Sequence, residues 1–84
     1  MKQQNEIGDC VRQSLERYFK DLDGEPARGI YDMVLGNVER SMIETVLHKA
    51  EGNQSIAAEM LGINRNTLRK RLGELGVDPD SFLR

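Results

Sequence analysis

The feature that most constrains this chain is where its helix breakers fall in the last third. Gly52-Asn53, then Gly62 with Asn64, then Gly76, cut that stretch into two short helices. Asn is a strong N-cap residue, because its side-chain oxygen accepts a backbone N–H that the first helical turn leaves unpaired. Gly closes a helix because it takes positive φ without a Cβ clash. The spacing therefore predicts a helix from about Gln54 to Leu61 and another that starts after Asn64 and runs to about Leu75. Leu68, Leu72 and Leu75 form the inward stripe of the latter. Ala57 and Ala58 are small where the two helices must cross, and Leu61, Ile63 and Leu68 supply apolar contacts that lock the crossing angle. Small residues, a turn glycine and flanking hydrophobes in this order are the mechanical needs of a helix-turn-helix, here spanning Asn53 to Gly76.

Upstream, Ile7, Val11, Leu15, Tyr18, Phe19 and Leu22 recur at three- and four-residue steps, one apolar stripe of a helix from about Ile7 to Leu22. Asp23-Gly24-Glu25-Pro26 ends it. A second, longer helix is expected from about Ala27 to Lys49. Its apolar residues, among them Val34, Val38, Met42, Ile43 and Leu47, wrap around more than one face, so it should be contacted on several sides. Gly36 inside it costs about 1 kcal/mol against Ala, unless a close helix–helix approach compensates. No segment alternates with a strand period, and there is no repeat or low-complexity stretch. The expected class is all-α with four helices. The tail, 77–84, is short, and its Phe82-Leu83 pair is placed to pack back.

A chain of 84 residues is one domain. At this size folding buries only about 60–65% of the surface that the unfolded chain exposes. Cys10 is the only cysteine, so no internal disulfide helps, and a lone thiol without a secretory h-region fits a reducing cytoplasm. No apolar run is long enough to span a membrane. His48 stands alone and reads as a capping or surface residue; no metal or other cofactor is expected. Cys10 reads as interface filling, the methionines and the Tyr18-Phe19 pair as core. No nucleophile–base pair or phosphate loop points to catalysis, so an enzyme is not expected. Oligomerisation is left as the source of extra buried surface.

The formal net charge of −2 argues against nucleic acid until it is resolved along the chain. Residues 1–48 carry six basic against nine acidic residues, whereas residues 49–76 carry five against three. The window 65–71 holds Arg65, Arg69, Lys70 and Arg71 and no acid. A polyanion responds to the local field, because salt screens beyond roughly 8–10 Å. A basic run alone is most often a solvated helix face. Here it sits on the second helix of a helix-turn-helix, whose N-terminal turn enters the major groove in this motif. With the leucines inward, Arg65 and Arg69 project outward four residues apart, flanked by Lys70 and Arg71. Arg is suited to bidentate contact with guanine and Asn to adenine. Asn64 and Thr67 add short donors beside a helix N-terminus that can itself bind phosphate.

The segment EGNQSIAAEMLGINRNTLRKRLGELG resembles the DNA-binding motif of the Fis family (factor for inversion stimulation), through G-N-Q, the A-A pair, L-G-I-N-R and T-L-R-K. The likeness continues upstream through VRQSLERYFKDLDGE and IYDMVLGNVERSMIETVL, so it covers about Ile7 to Gly76. It implies one Fis-like domain over 1–84: dimerisation helices at 7–50, the helix-turn-helix at 53–76 and a tail at 77–84. The first two helices of each subunit would interlock in an intertwined homodimer, with Val11, Leu15, Phe19, Val34, Val38 and Met42 in the interface. Asn64 and Arg65 match base-edge positions; Asn53, Ser55, Thr67, Arg69 and Lys70 match phosphate-facing ones. The two recognition helices would sit closer than one turn of straight DNA, so double-stranded DNA would bend and A·T-rich central steps would be favoured. The implied protein is a nucleoid-associated transcriptional regulator of the bacterial cytoplasm.

Departures from the family pattern set further expectations. Glu51 and Ile56 replace basic residues, Gly73 and Glu74 replace a basic pair, and Asn66 replaces a glycine. Weaker wrapping of flanking DNA follows. Ser41 replaces a proline that kinks the family's second helix, which leaves the kink open. Only a handful of residues precede the first helix, so the β-hairpin arm that contacts DNA invertases is expected to be missing and no invertase activation is expected. A related motif ends NtrC-type activators, so a DNA-binding module of such a system is an alternative, against which the upstream Tyr-Phe segment and Met1 weigh. A helical module whose basic face binds an acidic protein is the alternative from another class.

Overall fold

In the computed structural model, residues 2–83 are described, with side chains from Glu6 onward. Met1 and Arg84, the first and last residues of the expected domain, lie outside the described residues. Four helices follow in order: α1 (Lys2–Leu22), α2 (Ile30–Lys49), α3 (Gln54–Leu61) and α4 (Arg65–Leu75), then a 3-10 turn at Pro79–Phe82. No strand occurs among the described residues, and the chain is all-α as the apolar periodicity requires. No helix is long and apolar enough to cross a membrane.

The chain forms two compact units, Met1–Val34 and Leu35–Arg84, whose boundary falls inside α2. The first unit carries α1. This helix starts earlier than the apolar stripe indicated, because its first residues are polar helix formers without a periodic apolar signal. Arg12 and Asp9 pair one turn apart on it. Tyr18 and Phe19 meet edge-on, with ring centroids 5.9 Å apart. The helix ends with Asp23 and Gly24 both at positive φ, and Glu25 N–H donating to the Leu22 carbonyl. α2 begins at Ile30 rather than Ala27: Gly29 lies at φ +67°, outside the helical region, and the Met33 N–H closes the first turn on its carbonyl.

The second unit owns the core. Ile43, Leu47 and Ala50 from α2 and its end, Ala57 and Ala58 from α3, Leu68 and Leu72 from α4, and Val77 from the tail form one buried cluster. Ile43, Leu47 and Leu68 are the largest fully enclosed side chains. Each such side chain contributes about 1.5–3 kcal/mol by leaving water. Val46, Leu61, Leu75 and Phe82 pack around the cluster. The tail therefore folds back over the α2–α3 corner, with Phe82 of the expected pair against the core and Leu83 60% exposed. A Cβ at Gly52 would lie 2.9 Å from the Pro79 carbonyl oxygen and 2.9 Å from Leu83 Cδ2. Only glycine permits that approach, and its φ of +82° disfavours a side chain there independently. α2 runs unbroken past Ser41, whose carbonyl accepts from Thr45 Oγ1 at 2.7 Å. At Gly36 an added Cβ would meet nothing within 4 Å, so no close approach within the chain offsets the cost of that glycine.

Candidate nucleic-acid interface

The helix-turn-helix is built by local capping chemistry. Asn53 Oδ1 accepts the Ile56 N–H at 3.0 Å and starts α3. Gly62 ends it in the left-handed region, φ +76°, with its own N–H returned to the Ala58 and Glu59 carbonyls. The chain then turns through Ile63 to Asn64, whose Oδ1 accepts the Asn66 N–H at 2.7 Å and opens α4. Gly76 closes α4 with its N–H on the Leu72 and Gly73 carbonyls. Leu68 and Leu72 point inward and are buried, with Leu75 half-buried at the core edge. Helical periodicity then commits the intervening residues to solvent: Arg65, Asn66, Thr67, Arg69 and Lys70 are all exposed.

Among the described residues none of Arg65, Arg69 and Lys70 forms an ion pair. Three cations on one short helix without internal counter-charges create a local positive field, next to backbone N–H groups that the helix start leaves unpaired. Such a surface is suited in charge and donors to an anion. Asn53, Ser55 and Asn64 are exposed on the same helix-turn-helix. The two asparagines already use one oxygen lone pair as caps, which leaves their Nδ2 donors and a second lone pair for other partners.

Arg71, expected to flank the outward basic face, is half-buried and turns its guanidinium to two carboxylates. Its Nε donates to Glu39 Oε2 at 2.6 Å, its Nη2 to Glu39 Oε1, and its Nη1 to Glu74 Oε1. All three guanidinium nitrogens are engaged inside the unit. The hydrogen bonds from Arg71 hold the Glu39 carboxyl below its usual range, against the opposing effect of burial. The same bonds, chiefly with Glu39, push the guanidinium pKa up. Beside this pair, Arg40 Nη2 donates to the carbonyl of Leu75, the last residue of α4, where a cation also meets the negative end of the helix dipole. Glu39 and Arg40 escape sequence reasoning because they lie 32 and 35 residues from their partners. The local signals were Glu74, three residues after Arg71, and the spacing of Arg71 from Leu68 and Leu75, which sets it beside the inward stripe.

The side chains expected at an intersubunit surface are less covered. On α1, Val11 and Leu15 are half-buried and Phe19 is 51% exposed. On α2, Val34 is half-buried, whereas Val38 is 40% and Met42 49% exposed. Leu35, absent from the expected set, joins the last two at one helical turn.

The model of the family described as "Bacterial regulatory protein, Fis family" matches residues 34–75, half of the chain and all of α3 and α4. The chain belongs to the Fis family. A second family model, the N-terminal domain of the DNA-binding protein Fis, matches residues 8–27, within and just after α1. A putative Fis-like DNA-binding protein of Ralstonia nicotianae is 55% identical over 73 residues, covering 87% of this chain and 95% of that protein. One of Neisseria meningitidis is 53% identical over 72 residues, covering 86% and 91%. The DNA-binding protein Fis of Actinobacillus succinogenes is 48% identical over 71 residues, covering 84% of this chain and 72% of that one. Fis membership thus extends across both units, and the helix-turn-helix lies wholly inside the matched span.

Proposed function

We propose that this Fis-family chain is a homodimeric DNA-binding protein that bends duplex DNA and acts as a nucleoid-associated transcriptional regulator, with residues 1–84 as one domain. The observation that carries the reading is the unpaired basic face of α4, Arg65, Arg69 and Lys70, beside a capped N-terminus in a helix-turn-helix. Asn64 and Arg65 sit at the end of α4 that would enter the major groove, where they read base edges. Asn53, Ser55, Thr67, Arg69 and Lys70 meet phosphates. Arg71 is withdrawn from this set, because its donors are turned to Glu39 and Glu74. Exposed Phe19, Leu35, Val38 and Met42 support a second copy as the cover for α1 and α2. The names of the relatives, all DNA-binding proteins, support the ligand. Bending follows if two recognition helices stand closer than one helical turn of DNA, and A·T-rich centres are then the least costly to deform.

Titration of duplex DNA between 50 and 200 mM salt tests the reading. Binding should weaken by orders of magnitude, with a log–log slope near −0.9 per phosphate contacted. Arg65→Ala should cost about 1–3 kcal/mol and relax sequence preference. Lys70→Ala should weaken all sequences alike and reduce the slope by roughly 1. Full affinity in both variants overturns the assignment of α4. Bend angles on permuted fragments and sedimentation of the free protein test the bending and the dimer.

A further inference from the structure

We propose that Glu39 and Arg71 form a positioning clamp that fixes the recognition helix on α2 and thereby sets the spacing of half-sites that a dimer accepts; this rests on the DNA-binding, homodimeric reading above. The clamp is a two-point attachment between neighbouring α2 residues and one helix. Glu39 takes the Arg71 guanidinium side-on through both carboxylate oxygens, and Arg40 takes the last carbonyl of α4. Glu74 holds the remaining Arg71 nitrogen and orients the fork from within α4.

The apolar contacts beneath cannot do this work alone. Leu68 and Leu72 share a core cluster with Ile43 and Leu47, but hydrophobic attraction is non-directional and tolerates small rotation and sliding. A bidentate Arg–carboxylate pair is directional and restricts both. Its location on α2 gives it leverage. By helical geometry Glu39 lies at the seam between the buried face of Ile43 and Leu47 and the exposed stripe of Leu35, Val38 and Met42. If that stripe is the surface on which a second copy sits, α2 is the common reference for both recognition helices. Any rotation of α4 on α2 is then doubled across the two-fold axis and appears as a change in half-site separation. Arg71 acts through α4 and touches no nucleic acid.

The test uses the full chain and duplexes carrying two half-sites, chosen by selection from random DNA, with their separation varied one base pair at a time. The wild type should prefer one separation sharply. Arg71→Met and Glu39→Gln should each flatten that preference by roughly two- to fivefold, the scale that a partly exposed ion pair supports. Both should keep the wild-type salt slope, and the double variant should flatten the profile no further, because the two residues act as one unit. A purely stabilising role would lower the melting temperature and leave the spacing profile unchanged, which overturns the clamp. A slope reduced by about 1 in Arg71→Met with an intact profile makes Arg71 a phosphate contact and also overturns it. So does tighter binding with a steeper slope in Glu39→Gln, since that variant would have freed Arg71 for DNA. Should Arg71→Met fail to fold by circular dichroism, Glu39→Gln decides with Arg71 in place. The two proposals fail differently. A wild type that binds no duplex, or shows no paired-site preference, sinks the DNA-binding dimer and the clamp with it. A wild type with a sharp preference that both variants retain sinks the clamp alone.

Discussion

The two units of this chain are stabilised on different terms. Among the described residues, every buried hydrophobic side chain belongs to the unit 35–84, at or beyond Ile43. The unit 1–34 has a long helix with a clear apolar stripe and encloses none of it: Ile7 is 60% and Phe19 51% exposed. Isolated helices depend on tertiary contact for most of their stability. The unit 35–84 supplies that contact from its own sequence; for the stripe on α1, the proposed second copy is the surface that would supply it. The comparison teaches that the unit 35–84, the helix-turn-helix together with the end of α2 and the tail, carries its own core, and that under the proposed dimer the N-terminal region is where association should decide stability.

The largest effect should come from charging the exposed α2 stripe. Val38→Asp places a carboxylate in the proposed interface of each subunit, at about 3–5 kcal/mol for an uncompensated buried charge. Sedimentation should find monomers, and melting should lose its dependence on protein concentration. A variant that still dimerises would break the contrast between the units. Next, Leu68→Ala removes a fully enclosed side chain from the self-sufficient unit and should cost about 2–5 kcal/mol in denaturant melts. It should do so even in a monomeric Val38→Asp background, if the C-terminal unit stands on its own core. Gly52→Ala forces a methyl against the Pro79 carbonyl and Leu83 at a positive φ, and about 1–3 kcal/mol of destabilisation is expected. The smallest effect is pH-dependent. The folded-state pKa of Glu39 is lowered by its hydrogen bonds from Arg71, so its contribution to stability is complete above the ordinary glutamate range and fades as pH falls through the lowered value. Urea melts should find the gap between wild type and Glu39→Gln widest near neutrality and closing only as pH falls below the ordinary glutamate range.

The helix-turn-helix was legible nearly to the residue, because Asn53, Gly62, Asn64 and Gly76 act through bonds to neighbours within a few positions. The fold class was legible for the same reason: apolar spacing is local information. The limits of α1 and α2 were less so. The first turns of α1 carry no apolar period, and Gly29 delays α2 by its backbone conformation, which composition does not encode. The candidate site divides in the same way. Arg65, Arg69 and Lys70 are outward because Leu68 and Leu72 are inward, a statement about one helix. Arg71, three residues after Leu68 and four before Leu75, stands by the same arithmetic beside the inward stripe and is half-buried; its partner Glu39 was not legible, because it stands on another helix. Of the four cations in the window 65–71, three are without an ion pair among the described residues, and Arg71 is paired with Glu39 and Glu74. Under the proposed function, with Glu51 and Glu74 nearby in sequence, that pairing goes with a compact grip on DNA.

The contact between Gly52 and the tail bears on how portable this reader head is. The family-model match ends at Leu75, yet Val77 is enclosed, Phe82 packs against the core, and the Pro79 carbonyl and Leu83 stand close over Gly52. A graft cut at the edge of the matched span would carry the recognition helix without the strap that seals its floor. The piece worth transplanting into another protein starts within α2 and runs through Leu83, and a fusion partner joined directly after α4 would compete with the tail for the place against Gly52.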